Sequence, residues 1–124
     1  MDIVRDFRVP ADRLTVVPVG VETDVFVPPT APRVPGRIVA TASADVPIKG
    51  LVPLLEAVAK LRTERDVELL LVTRPKPGGQ TEKMIDRLAI GDAVRFVNGI
   101  TDEQLAALVA SAEIACVPSL YEGF

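Results

Sequence analysis

Arg37-Ile38-Val39-Ala40-Thr41-Ala42 opens the stretch that decides the fold, and Val67-Glu68-Leu69-Leu70-Leu71-Val72 closes it. Between them Leu51, Leu54, Leu55, Val58 and Leu61 recur at i, i+3, i+4, i+7 and i+10, which marks one face of a helix. The centres of the two flanking runs, Ile38-Val39-Ala40 and Leu69-Leu70-Leu71-Val72, are apolar without alternation, as in parallel strands buried on both faces. Pro53 falls in the first turn of the helical pattern, where a missing N–H leaves no bond unmade. Residues 37–72 therefore read as a strand–helix–strand unit with a crossover.

The same alternation continues toward the carboxyl end. Thr81 to Ala89 places Met84, Ile85 and Leu88 on one helical face, with Gly91 as the expected stop. Val94-Arg95-Phe96-Val97 is a third strand, and Thr101-Asp102-Glu103-Gln104 is a capping box that opens a helix through Ala112. Glu113 to Val117 is a fourth strand. The pattern predicts parallel strands near 38–42, 67–72, 94–97 and 113–117, with helices near 50–63, 80–90 and 102–111. Right-handed crossovers are expected to make this half of a doubly wound, Rossmann-type α/β sheet, and in the common Rossmann order the first strand lies between the second and the fourth.

Toward the amino end the signals are weaker. Residues 2–9 look like the end of a helix stopped by Pro10. Leu14-Thr15-Val16-Val17 is a short β-type run ended by Pro18 and Gly20. Residues 27–37 hold Pro28, Pro29, Pro32, Pro35 and Gly36, and are expected to form a linker without regular structure.

Composition narrows the function. Apolar residues make up 48% of the 124, enough for one globular core. A net charge of −3 gives no electrostatic footprint for nucleic acid or an anionic membrane. No apolar run approaches the length of a bilayer span, and Met1 to Asp6 has neither the basic nor the apolar region of a signal peptide. A cytoplasmic location is the expectation. Cys116 is the one cysteine and sits in a strand-like run as a small hydrophobe. The absence of histidine removes the Ser-His pair and most zinc sites, leaving electrostatic or carboxylate chemistry.

Ligands of such sheets bind beyond the carboxyl ends of the strands, here residues 43–50, 73–80, 98–101 and 118–124. Lys49-Gly50 stands at a helix start, where a lysine opposes the helix dipole unless an anion is bound. Neither a Walker A loop nor a G-x-G-x-x-G fingerprint follows any strand. Arg74 and Lys76 make the second loop cationic, a pattern that solvated loops also show. Asn98-Gly99 is a turn signal, and Glu122 is either a ligand carboxylate or an exposed acid.

The order of these segments is more specific than any of them alone. Residues 16–28, Val16-Val17-Pro18-Val19-Gly20-Val21-Glu22-Thr23-Asp24-Val25-Phe26-Val27-Pro28, resemble the P-x-G-V-D-x-x-x-F-x-P lead-in of family 4 (group 1) retaining glycosyltransferases of the GT-B fold. Lys49-Gly50 resembles that family's K-G opening of the first donor-domain helix. Val94 to Gly99 resembles its V-x-F-x-G segment. Pro118-Ser119-Leu120-Tyr121-Glu122-Gly123-Phe124 matches the P-S-x-x-E-G-F that begins its E-x7-E motif. Four motifs in family order span nearly the whole chain.

The resemblance implies the first half of a GT-B carboxyl-terminal donor-binding domain. It implies transfer of a sugar from a nucleotide-sugar donor to an acceptor with retention of configuration, with no cofactor and usually no metal. By resemblance Lys49 meets the diphosphate, and Glu122 with the backbone N–H groups of Gly123 and Phe124 holds the sugar. The segment Val97-Asn98-Gly99 borders the base. One departure stands out: the family often carries an arginine five residues before the lysine, and here that position is Ala44. Arg74 or Lys76 is the expected substitute.

On this reading residues 1–9 are the tail of an acceptor domain, 10–37 a lead-in segment and Pro-rich linker, and 38–124 part of the nucleotide-sugar-binding domain. The chain would then end before the second glutamate of E-x7-E, and is expected to be inactive alone and to self-associate. Two alternatives differ in kind. One is a freestanding nucleotide- or phosphate-binding module without transfer chemistry. The other is a structural or interaction fragment with an exposed sheet edge.

Overall fold

The computed structural model describes residues 3–122. A four-stranded sheet is built from β1 (Val34–Thr41), β2 (Glu68–Val72), β3 (Val94–Val97) and β4 (Ala112–Cys116). Its order is β3-β2-β1-β4, and every neighbouring pair is parallel. The first strand lies between the second and the fourth, as the alternation predicts. Helix α1 (Ile3–Phe7) precedes the sheet, and α2 (Leu51–Leu61), α3 (Gln80–Arg87) and α4 (Asp102–Ala110) make the connections. No helix among the described residues is long and apolar enough to cross a membrane.

Period-two alternation divides the strand side chains between two cores. Ile38 and Ala40 of β1, Leu69 and Leu71 of β2, and Val94 of β3 face α2 and α3, where Leu51, Leu55, Val58, Met84 and Ile85 meet them. Val39 and Leu70 face the other way with Ala112, against Leu108 and Val109 near the end of α4. Leu55, Leu69 and Leu71 are wholly buried, and each such side chain contributes about 1.5–3 kcal/mol through the apolar area it removes from water.

The sequence misplaces three features. Leu14 to Val17 is not a strand; Val16 is 90% exposed and the segment makes no ladder with a neighbour among the described residues. β-branched composition favours a pleated surface only where a partner strand supplies the bonds. The Pro-rich stretch ends earlier than expected, because β1 begins at Val34 and runs through Pro35 and Gly36. It does so by a register shift: Val34 pairs with Ala112 and Ile38 with Ile114, so β1 carries extra residues there. Gly36 takes φ +72°, its N–H donates to Glu113 Oε2 at 2.8 Å, and a Cβ on it would overlap the Asp66 carbonyl oxygen.

The third correction concerns the end of α3. Gly91 is not the stop. Ala89 adopts the left-handed conformation at φ +51°, its N–H bonds to the Asp86 carbonyl, and the Ile90 N–H bonds to the Ile85 carbonyl. These two bonds form a Schellman closure with alanine where glycine is usual. By contrast the capping box of α4 forms as read: Gln104 N–H donates to Thr101 Oγ1 and Thr101 N–H donates to Gln104 Oε1. Replacing Ala89 by glycine relieves the left-handed strain, partly offset by a freer unfolded chain. Ala89→Gly should raise unfolding stability by about 1 kcal/mol, read as a higher urea midpoint at unchanged slope. A lower midpoint would contradict the Schellman assignment.

Candidate functional site

The carboxyl ends of β1, β2 and β4 lie side by side, so their loops form one rim. After β1 the chain passes Ala42 and Ser43 into a short 3-10 turn, Pro47–Lys49, and Gly50 at φ +67° redirects it into α2. The loop is held from both sides. On the β4 side, Leu120 N–H donates to the Ile48 carbonyl at 2.9 Å, and Gly50 lies so close to the Pro118 carbonyl that a Cβ there would overlap it. On the β2 side, Ala44 N–H donates to Thr73 Oγ1 at 3.0 Å.

Asp45 extends that second attachment. It sits at φ +59°, and its carboxylate accepts the Thr81 N–H at 2.8 Å and the Lys76 N–H at 3.0 Å. Its own N–H donates to Thr81 Oγ1 at 3.1 Å. Thr81 is the one buried polar residue among the described residues. The backbone N–H groups of Lys76 and Thr81 stabilise the ionised form and hold the Asp45 carboxyl below its ordinary value.

These attachments bring Lys49 and Glu122 together. Lys49 Nζ lies 3.0 Å and 3.2 Å from the two Glu122 carboxylate oxygens, across 73 residues of sequence. Both side chains remain about one-third exposed, at 33% and 34%. The Glu122 carboxyl is held below its ordinary value first by the neighbouring Ser119 hydroxyl and then by the Lys49 ammonium. Ser119 Oγ itself is buried and completes no well-aligned hydrogen bond among the described residues, so it acts on Glu122 as a nearby dipole. The pair borders an open cleft of about 330 Å³ lined by Thr41, Ser43, Val72, Thr73 and Ser119.

A second cavity of about 270 Å³ adjoins it and shares Val72 and Thr73. Arg74, Val97, Asn98 and Gly99 line it, and the Arg74 guanidinium donates to Asn98 Oδ1 at a long 3.3 Å. The sequence-identified residues thus fall into two adjoining hollows: Lys49 and Glu122 in one, and Arg74 with Val97, Asn98 and Gly99 in the other. Lys76 contributes its backbone N–H to Asp45. Gly123 and Phe124 lie outside the described residues. Sequence reading missed Asp45, Thr73, Thr81 and Ser119, whose partners are 29 to 36 residues away in the case of the first three. No local spacing signals such contacts; the only hint was an aspartate in a turn-rich loop.

The family model for group 1 glycosyl transferases matches residues 35–124. Over 99% of its length the chain is 59% identical to the MMP alpha-(1->4)-mannosyltransferase of Mycolicibacterium hassiacum, of which it covers 30%. It is 30% identical to the D-inositol 3-phosphate glycosyltransferase of Streptomyces coelicolor, of which it covers 34%. The chain thus spans about a third of the length of these curated relatives. Sucrose-phosphate synthase from Thermosynechococcus elongatus superposes at a TM-score of 0.67 with 28% identity, over 86% of this chain and 29% of that one. The carboxyl-terminal domain of a group 1 glycosyl transferase from Francisella tularensis has the same fold, with a TM-score of 0.67 at 19% identity over 85% of this chain and 62% of that one.

Gly50 tests the attachment of the two loops. Gly50→Ala forces a left-handed alanine against the Pro118 carbonyl and should cost at least about 2 kcal/mol of stability. The Glu122 carboxyl should titrate closer to its ordinary value as Lys49 is carried away from it. Unchanged urea unfolding together with an unchanged Glu122 titration, followed by carbon-detected NMR, would refute this account.

Proposed function

This chain belongs to the group 1 glycosyl transferase family, and we propose that it supplies the diphosphate- and sugar-binding part of a retaining, nucleotide-sugar-dependent glycosyltransferase. One observation carries the reading: Lys49 and Glu122, 73 residues apart, converge at 3.0 Å on the carboxyl rim of a parallel sheet. In this reading Lys49 meets the diphosphate and stabilises the charge that grows on the leaving group as the glycosidic bond breaks. Glu122 turns from Lys49 to the sugar hydroxyls, and the hollow at Val97, Asn98 and Gly99 takes the base. No resident metal is required, because Lys49 supplies the positive charge.

The close mannosyltransferase relative favours mannose as the sugar and an α-(1→4) linkage as the product. The inositol phosphate glycosyltransferases are only half as similar, which makes their acceptor the weaker model. We assign the transfer reaction to a longer protein that contains this segment, since the relatives are about three times its length. In such a protein Lys49→Ala should lower turnover by about 10²–10³-fold, the scale of one preorganised electrostatic contact. Lys49→Arg should recover part of the loss, since charge is kept and geometry altered. The assay is mannosyl transfer from nucleoside-diphosphate mannose. Unchanged transfer by Lys49→Ala would move the phosphate role to Arg74 or Lys76, and binding without any transfer would favour a nucleotide-binding module.

Self-association of the 124-residue chain is also part of this proposal. β4 is an edge strand, and Ile114, Val117, Leu120 and Tyr121 on and after it are 48–68% exposed. An unpaired strand edge with apolar side chains is a template for another chain. Sedimentation velocity should show oligomers that grow with concentration; a monodisperse monomer across the range would overturn this point.

A further inference from the structure

The backbone bond of Lys49 itself, from its N–H to the Val46 carbonyl, lies within the 3-10 turn, so where that turn sits is set by the attachments of its ends. The 3-10 turn is anchored at one end by the Leu120–Ile48 bond and at the other by Asp45. Asp45 is the more unusual anchor. Helix α3 has no side-chain cap from its own N-cap, Gly79, and the Asp45 carboxylate takes that place from the preceding crossover. It lies so near Gly79 that a Cβ there would stand 2.6 Å from Oδ1. Carboxylates are favoured at a helix start because the first N–H groups and the dipole both stabilise negative charge. The loop after β1 is therefore fastened to α3 by a charge-assisted contact, which is stronger than a neutral one.

We propose that Asp45 is a positioning residue for the donor site: an internal anion that caps α3 and thereby fixes the 3-10 turn that presents Lys49 to Glu122 and to a bound diphosphate. Four bonds support it, namely Asp45 to the Lys76 and Thr81 N–H groups, Asp45 N–H to Thr81 Oγ1, and Ala44 N–H to Thr73 Oγ1. Three residues, Val46 to Ile48, lie between Asp45 and Lys49, and the turn itself orders them, with Lys49 N–H on the Val46 carbonyl and Gly50 N–H on the Pro47 carbonyl. The left-handed backbone at Asp45 points the same way, since aspartate tolerates that region better than most residues. Those N–H groups favour the ionised carboxyl and hold it below its ordinary value, which suits a cap. Only the diphosphate role of Lys49 rests on the function proposed above; the cap and the placement of Lys49 beside Glu122 do not.

Two variants test it in the full 124-residue chain. Asp45→Asn keeps the backbone preference and one acceptor but removes the charge. Asp45→Gly keeps the positive φ and removes the side chain. Both should speed hydrogen exchange at the Lys76 and Thr81 amides, Asp45→Gly more. Both should shift the Glu122 carboxyl titration upward, because Lys49 leaves it. The control is Gly36→Ala, which strains the far, amino end of the sheet and should lower stability without moving the Glu122 titration. Affinity for inorganic pyrophosphate, measured by calorimetry, should fall about tenfold in Asp45→Gly through misplacement of Lys49. Wild-type Glu122 titration in both Asp45 variants would overturn the proposal, as would an equal shift in Gly36→Ala. A wild-type chain that ignores pyrophosphate would instead count against the donor-site reading, while the exchange and titration results still decide the role of Asp45.

Discussion

Strand β1 is hydrogen-bonded on both sides, to β2 over Arg37–Thr41 and to β4 over Ile38–Ala40. That double parallel pairing is the constraint on which the rest depends. Parallel strands end on the same side, so the loops after β1, β2 and β4 must emerge next to one another. The chain then needs only short-range contacts to bring residue 49 to residue 122. Those contacts are backbone ones: the Leu120–Ile48 bond and the close approach of Gly50 to the Pro118 carbonyl. A side chain at position 50 would force the two loops apart, which is why the glycine after Lys49 matters to the site although it carries no chemistry.

The electrostatics of the rim follow from this crowding. Lys49 is neutralised by Glu122, and the start of α3 by Asp45. The two contacts differ in kind. Glu122 and Lys49 are each about one-third exposed and joined side chain to side chain, an arrangement that water and incoming anions exchange readily. Asp45 is joined to two backbone N–H groups, one of them in the first turn of α3, which no intrahelical bond satisfies. Glu122 is therefore free to exchange Lys49 for another partner, whereas Asp45 is fastened to the backbone.

The fold was legible because its signals are local and repeated. The helical spacing from Leu51 to Leu61, the apolar runs at 67–72 and 94–97, and the capping box at Thr101 each reflect neighbours within a few residues. Strand order followed from the common Rossmann arrangement, in which the first strand lies inside the sheet. What sequence could not supply was anything set by distant partners. The bulge at Gly36 depends on Glu113, and the Asp45 cap depends on Thr81. The stop of α3 failed for a different reason: Ala89 overrides its own backbone preference because Ile85 and Ile90 are both buried in the core beneath it. Leu14 to Val17 failed because composition favours a strand that has no neighbour to pair with. Of the site, Lys49 and Glu122 were legible as motif residues facing one crevice at the carboxyl ends of the strands, whereas their direct contact at 3.0 Å was not.

The two ends of the sheet divide the work. At the amino end Arg37 pairs with Glu68 across β1 and β2, Arg95 of β3 reaches the same carboxylate, and Arg65 joins Glu113 of β4 beside the Gly36 bulge. The Arg37–Glu68 and Arg95–Glu68 pairs tie neighbouring strands in register, the Arg65–Glu113 pair ties the loop before β2 to β4, and none of them lines either hollow. At the carboxyl end the charged groups serve loops rather than strands, and Lys49 and Glu122 line one open hollow and Arg74 and Asp102 the other. Substitutions at the amino end should thus act on stability, and those at the carboxyl end on ligand affinity. Asp45 is the residue where the two meet, since it caps a helix of the core with the same carboxylate that fixes the loop bearing Lys49. The effect on affinity proposed for Asp45 can be measured apart from its effect on stability, because the core beneath α2 and α3 is held by Leu55, Val58, Met84 and Ile85, which do not line the cleft.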